Sequence, residues 1–324
     1  MTGCSAIKAH LPFAKSSVTV EHNLISGREG TNGRILVVKI DDTPEAHPQI
    51  GLEDADVVYI EQVEGGLTRL AALFSSVIPS HVGPVRSARI SDIELLAQYG
   101  HVAFAYSGAQ KKMLPVIADA DLENLGAQQE SADIYTRDSE RNAPYNMILR
   151  ADLLMSKLVS KDISIASAKN PGWTFGPVPK NGKMIVSAKM NWPANSYTAT
   201  WSSTDFRWLL SHHDQSDVSA SGINLGPTTM VIQIVSITDS EYHDKFGGIT
   251  PLSATVGSGA GFILRDGQVF DALWTRADAQ SGTTWSASDG SPITFAPGQV
   301  WVALTDSAPE FTYPVASASS TPTK

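Results

Sequence analysis

The passage that most restricts how this chain can fold is Arg34–Asp42, RILVVKIDD. Ile35–Val38 is aliphatic without a break, Ile40 follows after one lysine, and two acids close the run. A strand presents alternate residues to opposite faces, so an unbroken apolar run has to be covered on both. The run therefore predicts a buried strand in a layered structure, with Asp41 and Asp42 at its C-terminal edge. Its neighbours support the layers. DVVYIEQVEGG (Asp56–Gly66) and LTRLAALFSSV (Leu67–Val77) read as two strands joined by a Gly-Gly turn. ISDIELLAQYG places Ile90, Ile93, Leu96 and Ala97 at helical spacing, with Gly100 as the stop. VAFAYSG (Val102–Gly108) is a further short strand, and KKMLPVIADADLENLG reads as a helix broken by Pro115. Strands alternating with helices predict an α/β domain with a mixed sheet, α+β being the alternative.

The second half is of another kind. All seven tryptophans fall between Trp173 and Trp301. Strand-like pieces dominate there, among them TTMVIQIVSI, GAGFILRDGQVFDALWTRA and GQVWVALTD, and RDGQ and SDGS read as hairpin turns. Trp201, Trp274 and Trp301 sit in strand-like alternation, which favours core over a sugar-stacking surface. The Pro/Gly/Asn-rich stretch ASAKNPGWTFGPVPKNGK separates the halves. The expected organisation is an N-terminal tether over 1–29, an α/β domain over 30–168, a mostly-β C-terminal domain over 169–314 and a disordered tail over 315–324.

Net charge −9 and a pI near 5.3 exclude broad binding to nucleic-acid phosphates, which needs a basic face. No apolar run is long enough to span a bilayer. Cys4 is the single cysteine, which excludes an intrachain disulfide and a cysteine-rich zinc site. Thr2-Gly3-Cys4-Ser5 resembles the end of a bacterial lipoprotein signal, so a lipid anchor at Cys4 and an extracytoplasmic location are expected. Such a signal carries a basic region and an apolar stretch ahead of its cleavage site. If nothing precedes Met1, the expected location is the cytoplasm instead.

The motif GPVRSARISD (Gly83–Asp92) sets Arg86 and Arg89 at the start of a helix. Either Ser87 caps that helix, or Ser91 does with Glu94 three residues on. Two cations at the positive end of a helix dipole are locally unfavourable unless an anion joins them. That anion is either a ligand or the protein's own. Residues 33–160 hold 18 acids and 11 bases, a balance of −7 (11 − 18), so internal partners abound. Asp92 stands three after Arg89, and Asp41, Asp42, Glu61 and Glu64 are further candidates.

His47-Pro48-Gln49, Gly51-Leu52, Ala55-Asp56, Glu61, Glu64-Gly65-Gly66, Thr68-Arg69, Gly83–Arg89 and Arg141–Asn146 together resemble the YerB-like lipoprotein family, bacterial two-domain proteins of unknown function. VGSGAGFILRDGQVFDALWTRA and PGQVWVAL resemble its C-terminal domain, and the resemblance covers about residues 30 to 310. It implies a membrane-tethered, extracytoplasmic protein and supplies no activity. The candidate ligand-site residues beside Arg86, Ser87 and Arg89 are Asp41, Glu64, Arg69, Tyr106, Arg141, Tyr145 and Asn146. Relatives usually carry histidine where this chain has Tyr106 and Tyr145, which weakens any metal or general-base role there.

Other features weigh less. His212-His213-Asp214 invites a metal reading, but adjacent histidines rarely face one ion, so an exposed loop is expected. Ser87 lacks a nucleophile elbow, and GSGAGF lacks the Lys-Ser/Thr of a phosphate loop. No cofactor, metal or catalytic residue is assigned. Two functions remain. The first is a non-enzymatic envelope protein with an anion site at Arg86 and Arg89, binding an anionic cell-wall ligand or an envelope protein. The alternative is a hydrolase or transferase acting on an envelope polymer through Asp41, Glu61 or Glu64.

Overall fold

The computed structural model describes residues 20–315. Cys4, most of the tether and nearly all of the tail lie outside them. The first half supplies β1 (Leu36–Asp41), β2 (Val57–Gln62), β3 (Thr68–Phe74), α1 (Ile90–Ala97), β4 (Val102–Tyr106), α2 (Leu114–Asp119), β5 (Leu122–Gly126) and α3 (Ala151–Ser160). The second half is built of strands among its described residues: β6 (Ser187–Trp192), β7 (Asn195–Ser202), β8 (Arg207–His212), β9 (Thr229–Ile234), β10 (Gly257–Arg265), β11 (Gln268–Arg276), β12 (Thr284–Ser286) and β13 (Val300–Thr305). An α/β N-terminal domain with a mixed sheet thus precedes a β-rich C-terminal domain.

One sheet runs through both, in the order β12-β11-β10-β9-β13-β2-β3-β1-β4-β5. The join is β13, parallel to β9 on one side and to β2 on the other. Every residue of β13 is buried. Two-sided burial holds for β1 as well, as its unbroken run requires. Leu36, Val38 and Ile40 face one side with Ile60 and Leu70, under α3 and the second sheet formed around β6–β8. Val37 faces the other with Val57, Tyr59, Ala71 and Phe104, under α1 and α2.

Local chemistry explains the connections. Gly65 and Gly66 turn β2 into β3 at φ 69° and 73°, a region that favours glycine. Asp266-Gly267 closes the β10–β11 hairpin with positive φ at both residues, as RDGQ requires. Pro115 starts α2 rather than breaking a helix, because a first-turn position needs no N–H donor. The segment after it, expected as helix, is strand β5, drawn into parallel pairing with β4. Six tryptophans are buried, and the half-buried Trp201 packs on Trp208. They build core, not a sugar-binding face.

Candidate functional site

β1 ends in Asp41, Asp42 follows it, and alternation sends the two acids to opposite faces of the sheet. Asp41 shares its face with Arg69, its cross-strand neighbour on β3. Asp42 turns toward the second sheet. Each acid anchors a separate cluster.

On the α1 face, Arg86 and Arg89 lie in the loop before the helix, whose N-cap is Arg89 rather than Ser87 or Ser91. Arg86 pairs with Asp41 through Nε, and its guanidinium lies 5.8 Å from the centre of the Tyr145 ring. Arg89 grips Glu64 through Nε and Nη2, at 2.9 and 2.7 Å, and donates from Nη1 to the Ala88 carbonyl at 2.9 Å. Glu64 also accepts from the Thr250 hydroxyl. Burial alone would raise the Glu64 carboxyl; the Arg89 fork outweighs it and holds the group below its usual range. Asp92, expected to pair with the Arg89 side chain, instead accepts the Arg89 backbone N–H at 2.6 Å and faces Lys39. The anion at this helix end is therefore the protein's own, placed where the dipole favours it. Ser91 and Glu94 turn away to hold the C-terminal half, at Ser253 and Thr255.

Beneath α1, Lys39 bridges Glu61 and Asp92 at 2.7 and 2.6 Å in complete burial. Burial first, then the charge of Asp92, pushes the Glu61 carboxyl well above its ordinary value. Arg69 is the exception on this face. Its cross-strand neighbours are Asp41 and Glu61, and each is claimed by another cation. Half-buried, Arg69 donates to the Ser87 carbonyl at 2.8 Å and forms no ion pair with any described acid. Burial and the nearby charges of Arg89 and Arg86 push its guanidinium below the ordinary value.

The other residues expected here divide. Tyr145 and Arg141 line one cleft of about 530 Å³ together with Glu45, His47, Pro48, Asp138, Glu140 and Asn142. Arg141 ties that cleft by donating to the carbonyls of Ala46 and Pro48 at 3.0 and 2.6 Å. Asn146 accepts from Arg137 at 2.6 Å, and Tyr106 is buried with its hydroxyl on Asn124 at 2.7 Å. Neither side chain hydrogen-bonds to Arg69, Arg86 or Arg89.

On the opposite face, Asp42 is sealed within a polar cluster that local reading did not predict. It accepts from the Tyr197 hydroxyl at 2.5 Å, from Asn195 at 3.1 Å and from the Thr68 hydroxyl. His47 Nε2 stands 3.5 Å from Asp42 Oδ1, and His47 Nδ1 stands 3.2 Å from Asp217 Oδ1. Burial would lower the His47 value, but Asp217 and Asp42 carry it up to about 9. His212 stacks on His47, with ring centres 4.3 Å apart. The expectation of an exposed His212-His213-Asp214 loop fails for His212. It ends β8 in burial, while His213 and Asp214 form the exposed turn. Burial, then the neighbouring His47 and His213, holds its value down. The strand alternation of RWLLSH, which buries Trp208, Leu210 and His212, is the signal that would have placed it inside.

Residues 23–164 match the family described as "Protein of unknown function (DUF3048) N-terminal domain", and residues 187–302 match its C-terminal domain. The chain belongs to this family. It is 23% identical over 277 residues to the "Putative lipoprotein YerB" of Bacillus subtilis strain 168, covering 84% of this chain and 81% of that protein. The crystal structure of YerB matches with a TM-score of 0.75 at 20% identity, over 89% of this chain and 97% of that one, so the two share a fold.

Proposed function

We propose that this chain is a non-enzymatic, lipid-anchored protein on the outer side of the cytoplasmic membrane, and that it holds an anionic group at a rim formed by Arg69, Arg86 and Tyr145. The anchor and location rest on the name carried by the Bacillus relative and on the Thr-Gly-Cys-Ser stretch. One observation carries the binding site: Arg69 forms no ion pair with any described carboxylate, although the charges of Arg89 and Arg86 act on it. Arg86 reaches Asp41 through Nε alone, which leaves its two Nη groups for a planar anion. Arg89 is not part of the ligand site in this reading, because Glu64 and Ala88 occupy its fork. The tyrosine face supports the Arg86 guanidinium from below. Nothing on this face favours the enzymatic alternative: Glu61 is enclosed, and Asp41 and Glu64 are each held in an ion pair.

The test is a thermal-shift screen of the wild type against inorganic phosphate, citrate and a teichoic-acid fragment, repeated with Arg69→Gln and Arg86→Ala. An anion at about 100 times its dissociation constant adds roughly 2.7 kcal/mol, a shift of several degrees. Stabilisation of the wild type that both variants lose supports the site. Absence of any shift, or an equal shift in the variants, removes it.

A further inference from the structure

The Asp42 face carries a second site with different chemistry. We propose that Asp42, His47 and His212 bind one divalent transition cation, zinc foremost, at the seam between the two family domains. The three side chains each offer a ligand atom, and these atoms all lie within 4.8 Å of one another. Donors around one zinc ion at about 2.0–2.2 Å stand roughly 3.3–3.6 Å apart in tetrahedral geometry. Asp42 Oδ1 and His47 Nε2 are already 3.5 Å apart. The His212 donor lies within 4.8 Å of both, and movement of its ring, now stacked on His47, completes the set.

Three further observations point to a ligand rather than to packing alone. His212 is 5% exposed, and its Nε2 is buried with no hydrogen-bond partner. Buried polar atoms rarely stay unpaired, and an imidazole nitrogen left so is a ready metal ligand. His47 is oriented by an outer carboxylate: the contact of Nδ1 with Asp217 directs Nε2 toward Asp42. That carboxylate–histidine arrangement is the usual support of a metal ligand. Asp42 is likewise held in place by Tyr197, Asn195 and Thr68.

Charge and donor type agree. Asp42 and Asp217 are buried acids, 2% exposed each, and a dication balances the pair. One carboxylate with two imidazoles suits zinc and its first-row neighbours over calcium or magnesium, which take oxygen ligands. Gln49 supplies a fourth donor. Its Oε1 is buried without a partner while its amide nitrogen stands 3.0 Å from His47 Nε2, so turning the amide brings the oxygen to the same point. Entry is from the cleft that His47 lines.

The test is calorimetric titration of untagged, chelator-stripped full-length protein with zinc chloride, alongside His212→Leu, His213→Ala and Asp217→Asn. The expected result is one equivalent bound by the wild type, with His213→Ala unchanged. His212→Leu should bind more than about 100-fold more weakly, and Asp217→Asn, which removes only the outer support, about 10- to 100-fold more weakly. No binding by the folded wild type overturns the proposal, as does wild-type affinity in His212→Leu. Should His212→Leu fail to fold, Asp217→Asn and His47→Gln decide in its place: wild-type affinity in both overturns the site, and weakening in both supports it.

Discussion

The two acids at the C-terminal edge of β1 are adjacent in sequence and belong to different environments. Asp41 lies on a face assembled almost wholly within the N-terminal domain, where Arg69, Arg86, Arg89 and Glu64 come from three neighbouring elements. Asp41 is itself buried, but its partner Arg86 reaches solvent, with a side chain 25% exposed. Asp42 lies where the C-terminal domain covers the sheet, and its partners Asn195 and Tyr197 stand 153 and 155 positions away. One cluster is a rim of excess positive charge. The other is a largely buried polar knot with two carboxylates and two imidazoles, open to solvent only at His47. The lesson is that one backbone step across a strand separates two chemistries, because alternation hands neighbouring residues to different layers.

The contrast breaks most visibly by removing each acid in turn. In metal-free protein, Asp42→Ala strands the Tyr197, Asn195 and Thr68 donors beside a buried imidazole, and urea unfolding should report a loss of about 3–5 kcal/mol. Asp41→Ala should cost less, about 1–3 kcal/mol, because the cation it strands, Arg86, is partly exposed and can be hydrated. Equal losses would show that the two faces do not differ in kind. Tyr197→Phe sharpens the Asp42 side: it deletes one hydrogen bond to a charged acceptor, for an expected loss of about 1.5–3 kcal/mol by the same measurement.

pH separates two carboxylates on the arginine side. Glu64 has a folded value below its ordinary one, because Arg89 outweighs burial. Its contribution is present above the ordinary carboxylate range and is lost as pH falls through the folded value. Glu61 runs in the opposite sense. Burial and Asp92 raise it, so its contribution is full below the ordinary range and is lost as pH rises through the folded value. Denaturant unfolding of Glu64→Gln against pH should therefore flatten the acid limb of the stability profile. Glu61→Gln should flatten the limb that descends toward neutral pH. A Glu61→Gln profile identical to wild type would contradict the buried, charge-crowded setting. The smallest stability change is expected for Arg69→Gln, about 1 kcal/mol or less, since no carboxylate loses a partner and one hydrogen bond, to the Ser87 carbonyl, is removed. A large loss there would make Arg69 a structural cation.

Much of the fold follows from short-range pattern. RILVVKIDD needs both faces covered, Gly-Gly and RDGQ make the expected turns, and the helix begins just after Arg89. Arg86 and Arg89 were legible as a pair before a helix, because they lie three residues apart. Their partners were not, because Asp92 is drawn down to Lys39 and leaves Arg89 to Glu64. His47 and His212 could not be joined by reading, since no local periodicity relates positions 165 apart.

The sequence by itself determined the buried strands at the centre of the sheet, the turns that join them, and the family to which the chain belongs. Only the tertiary structure decided what each face meets. β13 enters between β2 and β9, and the second sheet closes over Asp42, because burying those apolar faces together removes more surface from water than either half does alone. That closure, not any local motif, is what brings His212 against His47 and Tyr197 onto Asp42.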